Sequence, residues 1–305
     1  MFDFLLKPLG WVLQQLSLLF GGNFAASVFA FTVIVNLLMI PLSIKSQKSS
    51  MGQTRIKPKL DALKKKYGDD RQKFAMAQQE LMQKEGISMS GGCLPLLIRM
   101  PFMLGIYYVI LSPLKYLTGL STEVVTAAET AFKAMSETKN AYIQPEVIHA
   151  IQDGTIGSFE GLEQAREALG QLDFSFLGID LTTKPQFNID IFNHFEASWW
   201  IPILAFAAAM LTSIFTMLTQ KKNNPEAPSM GGLMLSMPLM SLIIGFTVSC
   251  AAGFYWACSS LISGIIQVVL QNFYGPNQMV ANEQKKELLA QFEIEKKKKQ
   301  KGENA

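Results

Sequence analysis

The sequence predicts an all-α membrane protein. Five transmembrane helices form a polar groove open to the cytoplasm, joined by a cytoplasmic helical hairpin and preceded by an N-terminal interfacial helix. Three observations predict this. Of 305 residues, 49% are hydrophobic and only 17% charged, whereas soluble domains carry about 25% charged residues. The deficit is local: five stretches approach the roughly 20 apolar residues that cross a ~30 Å hydrocarbon core as a helix. The connections between them alternate between basic and acidic or neutral.

The elements follow in chain order. Residues 1–22 place Phe2, Leu5, Leu6, Leu9, Val12, Leu13, Leu16 and Phe20 at helical spacing, broken by Lys7, Pro8, Gly10, Gln14 and Gln15. That pattern fits an amphipathic helix lying in the membrane interface. A cleaved signal peptide fits less well, because Asp3 stands where positive charge is expected. The first span is 25–44, uncharged, with Asn36 its most polar residue. Residues 45–92 hold 11 basic and 5 acidic residues. They read as two amphipathic helices around the turn signal Gly68-Asp69-Asp70. The hairpin they form is either a solvated basic loop or a docking surface for lipid head groups or emerging polypeptide, with Lys64, Lys65, Lys66 and Tyr67 as its contact residues.

The second span, 93–114, is apolar except for Arg99. Residues 115–196 hold 5 basic and 12 acidic residues and read as an extracytoplasmic insert. Helix-forming composition covers 123–135 and 158–172, and Phe174 to Asp180 is apolar enough to rest against the membrane. The third span, 198–220, begins with Trp199 and Trp200, aromatic rings suited to the interface. The fourth and fifth, 231–249 and 251–272, are nearly contiguous and require a tight outer turn. The basic tail, 273–305, holds seven lysines, including Lys296, Lys297, Lys298 and Lys299. Basic connections face the cytoplasm, which puts the N-terminus outside and the C-terminus inside.

Arg99 is the chemical signal. Arginine at the middle of a span costs ~2.5–3.5 kcal/mol on insertion scales, and no other span contains Asp or Glu. Arg99 lies about 9 Å from the cytoplasmic end at 1.5 Å per residue. One reading is that its side chain snorkels to the surface. The other is that it faces an aqueous pocket, with Asn36 at similar depth on the first span. Thr32 is one turn away, and Ser213, Thr216 and Thr247 add polar lining. An arginine does not release its proton, so a proton relay is excluded.

Cys93, Cys250 and Cys258 lack metal-ligand spacing, and His149 and His194 are far apart. No phosphate-binding glycine loop or catalytic Ser/His/Asp set is visible, and no cofactor or enzymatic chemistry is expected. Basic residues beside membrane segments argue against nucleic-acid binding.

The stretches Val33–Ser50 (VIVNLLMIPLSIKSQKSS), Gly91–Tyr108 (GGCLPLLIRMPFMLGIYY), Lys64–Asp70 (KKKYGDD) and Met237–Gln267 resemble segments of the YidC/Oxa membrane insertase family. The resemblance covers nearly the whole chain. It implies an energy-independent insertase and chaperone of the bacterial cytoplasmic membrane, moving hydrophobic segments of nascent proteins into the bilayer through a positively charged groove. The partners it implies are nascent membrane proteins and lipid, then the Sec translocon and the ribosome; the lysine tail suits ribosomal RNA or anionic lipid equally. The sequence departs from the family at two places. The family commonly has arginine where this chain has Asn36, and glutamine where it has Arg99. The family's proline before the last span is Ser249 here, and a following glycine is Ala251. A small polytopic transporter or channel is the competing class. It would call for an intramembrane acid or an inverted repeat, and neither is visible.

Overall fold

The structure is a computed structural model that describes residues 3–45, 56–68, 70–86, 94–136, 143–187, 195–223, 231–274 and a few single residues of the tail. It is mostly helical. The chain divides into two compact units, Met1–Leu38 with Arg99–Gly264, and Met39–Ile98 with Ile265–Ala305.

In the first unit, α1 (Asp3–Leu19) buries Leu6, Leu9, Leu13 and Ser17 and leaves Phe4, Trp11 and Leu18 exposed. It turns through Gly21 and Gly22, both with positive φ, into α2 (Phe24–Leu38). The apolar run continues, but the helix breaks at Met39 before resuming at 40–45. Pro41 has no N–H to give the carbonyl of Leu37, which accounts for the break.

The second unit contains a helical hairpin, α3 (Lys57–Tyr67) and α4 (Arg71–Lys84). Asp70 caps α4 by accepting from Lys73 N at 3.1 Å. Lys59, at the start of α3, pairs with Glu85 at the end of α4 and closes the open end of the hairpin. Ile56 and Met82 are buried.

In α5 (Leu94–Leu111) the helix stops at Ser112, and Pro113 opens the separate turn α6 (Pro113–Tyr116). The second apolar run is thus divided near its end, since the residue before a proline is driven from the helical region. A Cβ on Gly10 would stand 2.8 Å from Tyr116 Cβ, so α1 and α6 touch at a glycine.

The described residues of the insert form a mainly helical layer within the first unit. It comprises α7 (Thr122–Met135), α8 (Gln144–Gln152), α9 (Leu162–Gly170), β1 (Ser175–Phe176) and β2 (Ile179–Asp180). Val125, Ala128, Val147, Ile148, Ile151, Ala165 and Leu169 form its core. Gln144, 5% exposed, donates to Glu129 Oε1 at 2.8 Å and accepts from Lys115 N at 3.2 Å, tying α8 to its neighbours. The two strands pair antiparallel around Leu177 and Gly178, with φ of 50° and 78°. Two successive left-handed residues match the right-handed twist of a tight hairpin. Its aromatic residues pack on protein: Phe174 lies 5.1 Å from Phe24, and Phe176 lies 4.6 Å from Phe254. Sequence reasoning found this segment apolar enough to rest against the membrane; of its apolar side chains Leu177 at the tip is the one exposed.

A 3₁₀ turn (Ala197–Trp199) leads into α10 (Trp200–Asn223), followed by α11 (Gly231–Gly245) and α12 (Cys250–Tyr274). Among the described residues two helical stretches, Ala197–Leu218 and Cys250–Leu270, are long and apolar enough to cross a membrane. A Cβ on Gly245 would stand 2.8 Å from Pro202 Cβ, so the end of α11 meets the start of α10. Equivalent atoms would stand 2.9 Å from Ile201 at Gly253 and 2.8 Å from Thr212 at Gly264. These contacts are eleven residues apart on both helices (201 to 212, 253 to 264), so α10 and α12 run parallel, with α11 antiparallel to α10. The first amides of α12 are bonded by the insert: Cys250 N donates to Thr183 O, and Ala251 N to Leu181 O, both at 2.8 Å.

Candidate functional site

The polar residues of α2 point inward. On α2, Ser27, Thr32 and Asn36 are buried, whereas Phe29, Ile34, Leu37 and Leu38 are exposed. Thr32 is 0% exposed and Asn36 7%. Each satisfies itself on its own helix: Thr32 Oγ1 donates to Val28 O at 2.6 Å, and Asn36 Nδ2 donates to Thr32 O at 2.8 Å. The Asn36 side chain is thus left with its second N–H and its carbonyl oxygen.

Exposed apolar side chains recur elsewhere. Leu204, Leu211, Ile214 and Leu218 are exposed on α10, as are Leu239, Met240 and Ile243 on α11, and Leu261, Ile265 and Val269 on α12. Ile243 is 69% exposed. In water such a pattern would carry a large unfavourable apolar surface. In lipid it is the expected one, because the polar groups must then find partners inside.

Between α10 and α12 runs a seam of hydroxyls. Thr212 Oγ1 lies 3.0 Å from Ala208 O and 3.2 Å from Ser260 O, and Thr216 Oγ1 donates to Thr212 O at 2.8 Å. Ser263 Oγ lies 2.6 Å from Ser259 O. Thr216 therefore sits on this seam, and Ser213 is half-buried one position round the helix. Thr247 does not join them. It is exposed in the turn after α11, next to Phe246, whose ring lies 5.2 Å from Trp199. Ser213 and Thr216 lie 13 and 16 residues beyond Trp200, about 20–24 Å along the helix axis. No hydrogen bond between described residues joins the α2 pair to the α10 residues. Arg99 stands in α5, but its side chain lies outside the described residues, as do Cys93, His194 and Lys296 to Lys299.

Thr212, Ser260 and Gly264 escaped sequence reasoning, which weighed hydropathy. The signal that finds them is spacing: Gly253, Ala257, Ser260 and Gly264 form one stripe of small residues, the usual close-packing face of membrane helices.

On the hairpin, Lys64, Lys65 and Lys66 are exposed in the last turn of α3, and Lys66 Nζ stands 5.0 Å above the Tyr67 ring. In the insert, Thr182 Oγ1 lies 2.7 Å from His149 Nε2 and 2.6 Å from Asp180 Oδ1. The cluster fastens α8 to the strand that caps α12. Cys250 and Cys258 are buried free thiols.

The family model described as "60Kd inner membrane protein" matches residues 15–277. The chain belongs to this family. As a 60Kd inner membrane protein it is similar to the membrane protein insertase YidC of Stutzerimonas stutzeri strain A1501, with 42% identity over 108 residues. It is also similar to those of Pseudomonas aeruginosa strain PAO1 and Pseudomonas putida strain F1, each 43% identical over the same length. The matched stretch covers 35% of this chain and 18 to 19% of those relatives. It thus spans about a fifth of the relatives' length. The family places the chain among inner-membrane proteins, and its match ends before the lysine-rich end of the tail.

Proposed function

We propose that this chain is a membrane protein insertase and chaperone that transfers hydrophobic segments of nascent proteins from the cytoplasm into the bilayer. The observation that carries the reading is the inverted polarity of α2, with Thr32 and Asn36 buried and Leu37 and Leu38 exposed, in a family whose relatives here are named insertases. Five spans (25–44, 93–114, 198–220, 231–249 and 251–272) would run with the N-terminus outside and the C-terminus inside. The alternating basic connections and the parallel course of α10 and α12 support that count.

The groove of this proposal holds Arg99, Asn36 and Thr32 on one side and Ser213 and Thr216 on the other. Thr247 takes a place at its outer rim. A guanidinium in a low-dielectric pocket attracts an acidic or polar segment and lowers the cost of bringing it below the surface. The client's apolar segment then leaves past exposed Leu211 and Ile214 of α10 and Leu261 of α12. The hairpin lysines Lys64, Lys65 and Lys66, with Tyr67, meet the client or anionic head groups first. The tail lysines Lys296 to Lys299 contact the ribosome or lipid, and the Sec translocon is a further partner.

The test is reconstitution of the whole chain in proteoliposomes with a single-span client bearing an acidic tail. Arg99→Ala is expected to slow insertion several-fold while the variant remains folded. Wild-type insertion by that variant would remove the groove charge from the mechanism. The exchange Asn36→Arg with Arg99→Gln is expected to restore activity, since the charge stays at similar depth on the opposite wall. A dead exchange variant would show that the position of the charge matters.

A further inference from the structure

A cavity of about 230 Å³ opens between α1 and the insert. Its polar lining is Gln14, Ser17, Thr118, Gln164, Glu167 and Gln171. Glycines shape its walls. Gly22 and Gly119 have φ of 87° and 71°. A Cβ on Gly22 would stand 1.9 Å from Gln171 O, and one on Gly119 3.0 Å from Gln14 Nε2.

Two features of this lining point to a ligand. Ser17 is 2% exposed, and its Oγ has no hydrogen-bond partner; native structures rarely leave a buried hydroxyl so. Among the described residues, the side chains of Gln14, Gln164, Glu167 and Gln171 also make no hydrogen bond to protein. The lining therefore offers the carbonyl oxygens and N–H groups of three glutamines, and Gln164, Glu167 and Gln171 stand exposed at its mouth. It carries one charge, the Glu167 carboxylate, and no lysine or arginine lines it. The lone carboxylate, with no base beside it, favours a small cation with N–H donors over an anion, and the glutamine carbonyls can accept from it. A single carboxylate is too few for a dedicated calcium or magnesium cage.

The surroundings favour lipid as the source. Leu18 lines the cavity and is also exposed, and Leu19 and Phe20 continue the apolar surface beside it. We infer that the cavity holds the protonated primary amine of an aminoalcohol lipid headgroup, such as ethanolamine. Glu167 is its counter-ion, and Ser17 and the glutamine carbonyls are its acceptors. The headgroup phosphate stays at the mouth, where no base draws it deeper, and the acyl chains lie along Leu18 and Phe20. This inference rests on the reading of α1 as an interfacial helix, and not on the insertion mechanism.

The experiment uses the purified full chain, delipidated in detergent, with phosphatidylethanolamine or phosphatidylglycerol added back in equal amounts. Retained lipid is counted by native mass spectrometry. The wild type is expected to keep one phosphatidylethanolamine in preference to phosphatidylglycerol. Glu167→Gln is expected to lower that retention about tenfold, the loss of one charge-assisted hydrogen bond. Ala168→Phe, which fills the cavity from α9, should do the same. Soluble phosphoethanolamine separates the sources: weak competition at millimolar concentration supports the lipid, and full displacement at equimolar concentration overturns it in favour of a free amine. Equal retention of the two lipids, or unchanged retention in both variants, overturns the site. Insertion is assayed separately. A chain that keeps the lipid but inserts nothing sinks the insertase reading alone, and one that inserts but shows no lipid preference sinks only the cavity.

Discussion

At the scale of single residues, Gly22 and Asp70 show how much local chemistry the fold needs. Gly22 combines a left-handed backbone with a neighbour, Gln171 O, where its side chain would be. Gly22→Ala is therefore expected to destabilise the protein by more than the ~1 kcal/mol of backbone strain alone, read as an earlier thermal transition in detergent. Asp70 is a pH-dependent cap. The backbone N–H of Lys73, then its ammonium, hold the Asp70 carboxyl below its ordinary value. A lowered folded pKa means that the contribution is complete above the unfolded value, near 4. It is lost as pH falls through the lower folded value. Hydrogen exchange in the first turn of α4 should therefore stay protected at pH 5 and open below pH 4. Asp70→Asn should keep the cap and lose the pH dependence. An unchanged pH profile in that variant would exclude the carboxylate as the titrating group. Neither residue's role was legible from the sequence alone. Asp70 read as part of a turn, and Gly22 went unremarked, because the atoms that constrain it come from residue 171.

At the scale of elements, the apolar helices were legible because lipid demands length and composition that nothing else does. Their ends were not. Pro41 and Pro113 interrupt two runs that hydropathy alone draws as continuous, since a hydropathy sum does not register a missing N–H. The helix Gln144–Gln152 was missed for another reason: nine residues beginning Gln-Pro carry too little periodicity to stand out. The α10–α12 seam was invisible because glycine and serine score near neutral. It also makes a prediction. Gly264→Leu must push Thr212 aside and should lower the thermal transition, whereas Gly264→Ala should cost far less. Thr212→Val removes the bond to Ser260 O and should cost about 0.6 kcal/mol, the average for such bonds between membrane helices, measured by unfolding in mixed micelles. Because even an alanine Cβ would stand 2.8 Å from Thr212 Oγ1, an unchanged thermal transition in both variants would show that the helices are not in close contact there.

At the scale of the whole molecule, α2 buries its polar side chains, while α2, α10, α11 and α12 each also present exposed large apolar side chains beside a buried apolar core. The two units were not foreseen, because the sequence shows where helices lie and not which of them cluster. The candidate groove was legible only as a set of polar residues in apolar runs. Thr32 and Asn36 share one buried face, but Thr247 belongs to the turn between α11 and α12. The orientation is open to direct measurement. In a cysteine-free background, a cysteine placed at Ser136 should react with a membrane-impermeant maleimide in intact cells or right-side-out vesicles. A cysteine at Lys65 should react only after permeabilisation. The opposite pattern would reverse the topology.

The two hydrogen bonds from the start of α12 to Thr183 and Leu181 also impose a timetable. Those carbonyls belong to a segment made before α12 leaves the ribosome, and on the proposed topology they are useful only once that segment has crossed the membrane and folded on the far side. The last helix of this protein can therefore settle only after its own insert has been delivered and folded. A variant in which the insert is held back should leave α12 in the bilayer with its first turn open, a substrate for proteolysis from outside. On the proposed function, the chain would depend, in its own biogenesis, on delivery like that it is proposed to give to others.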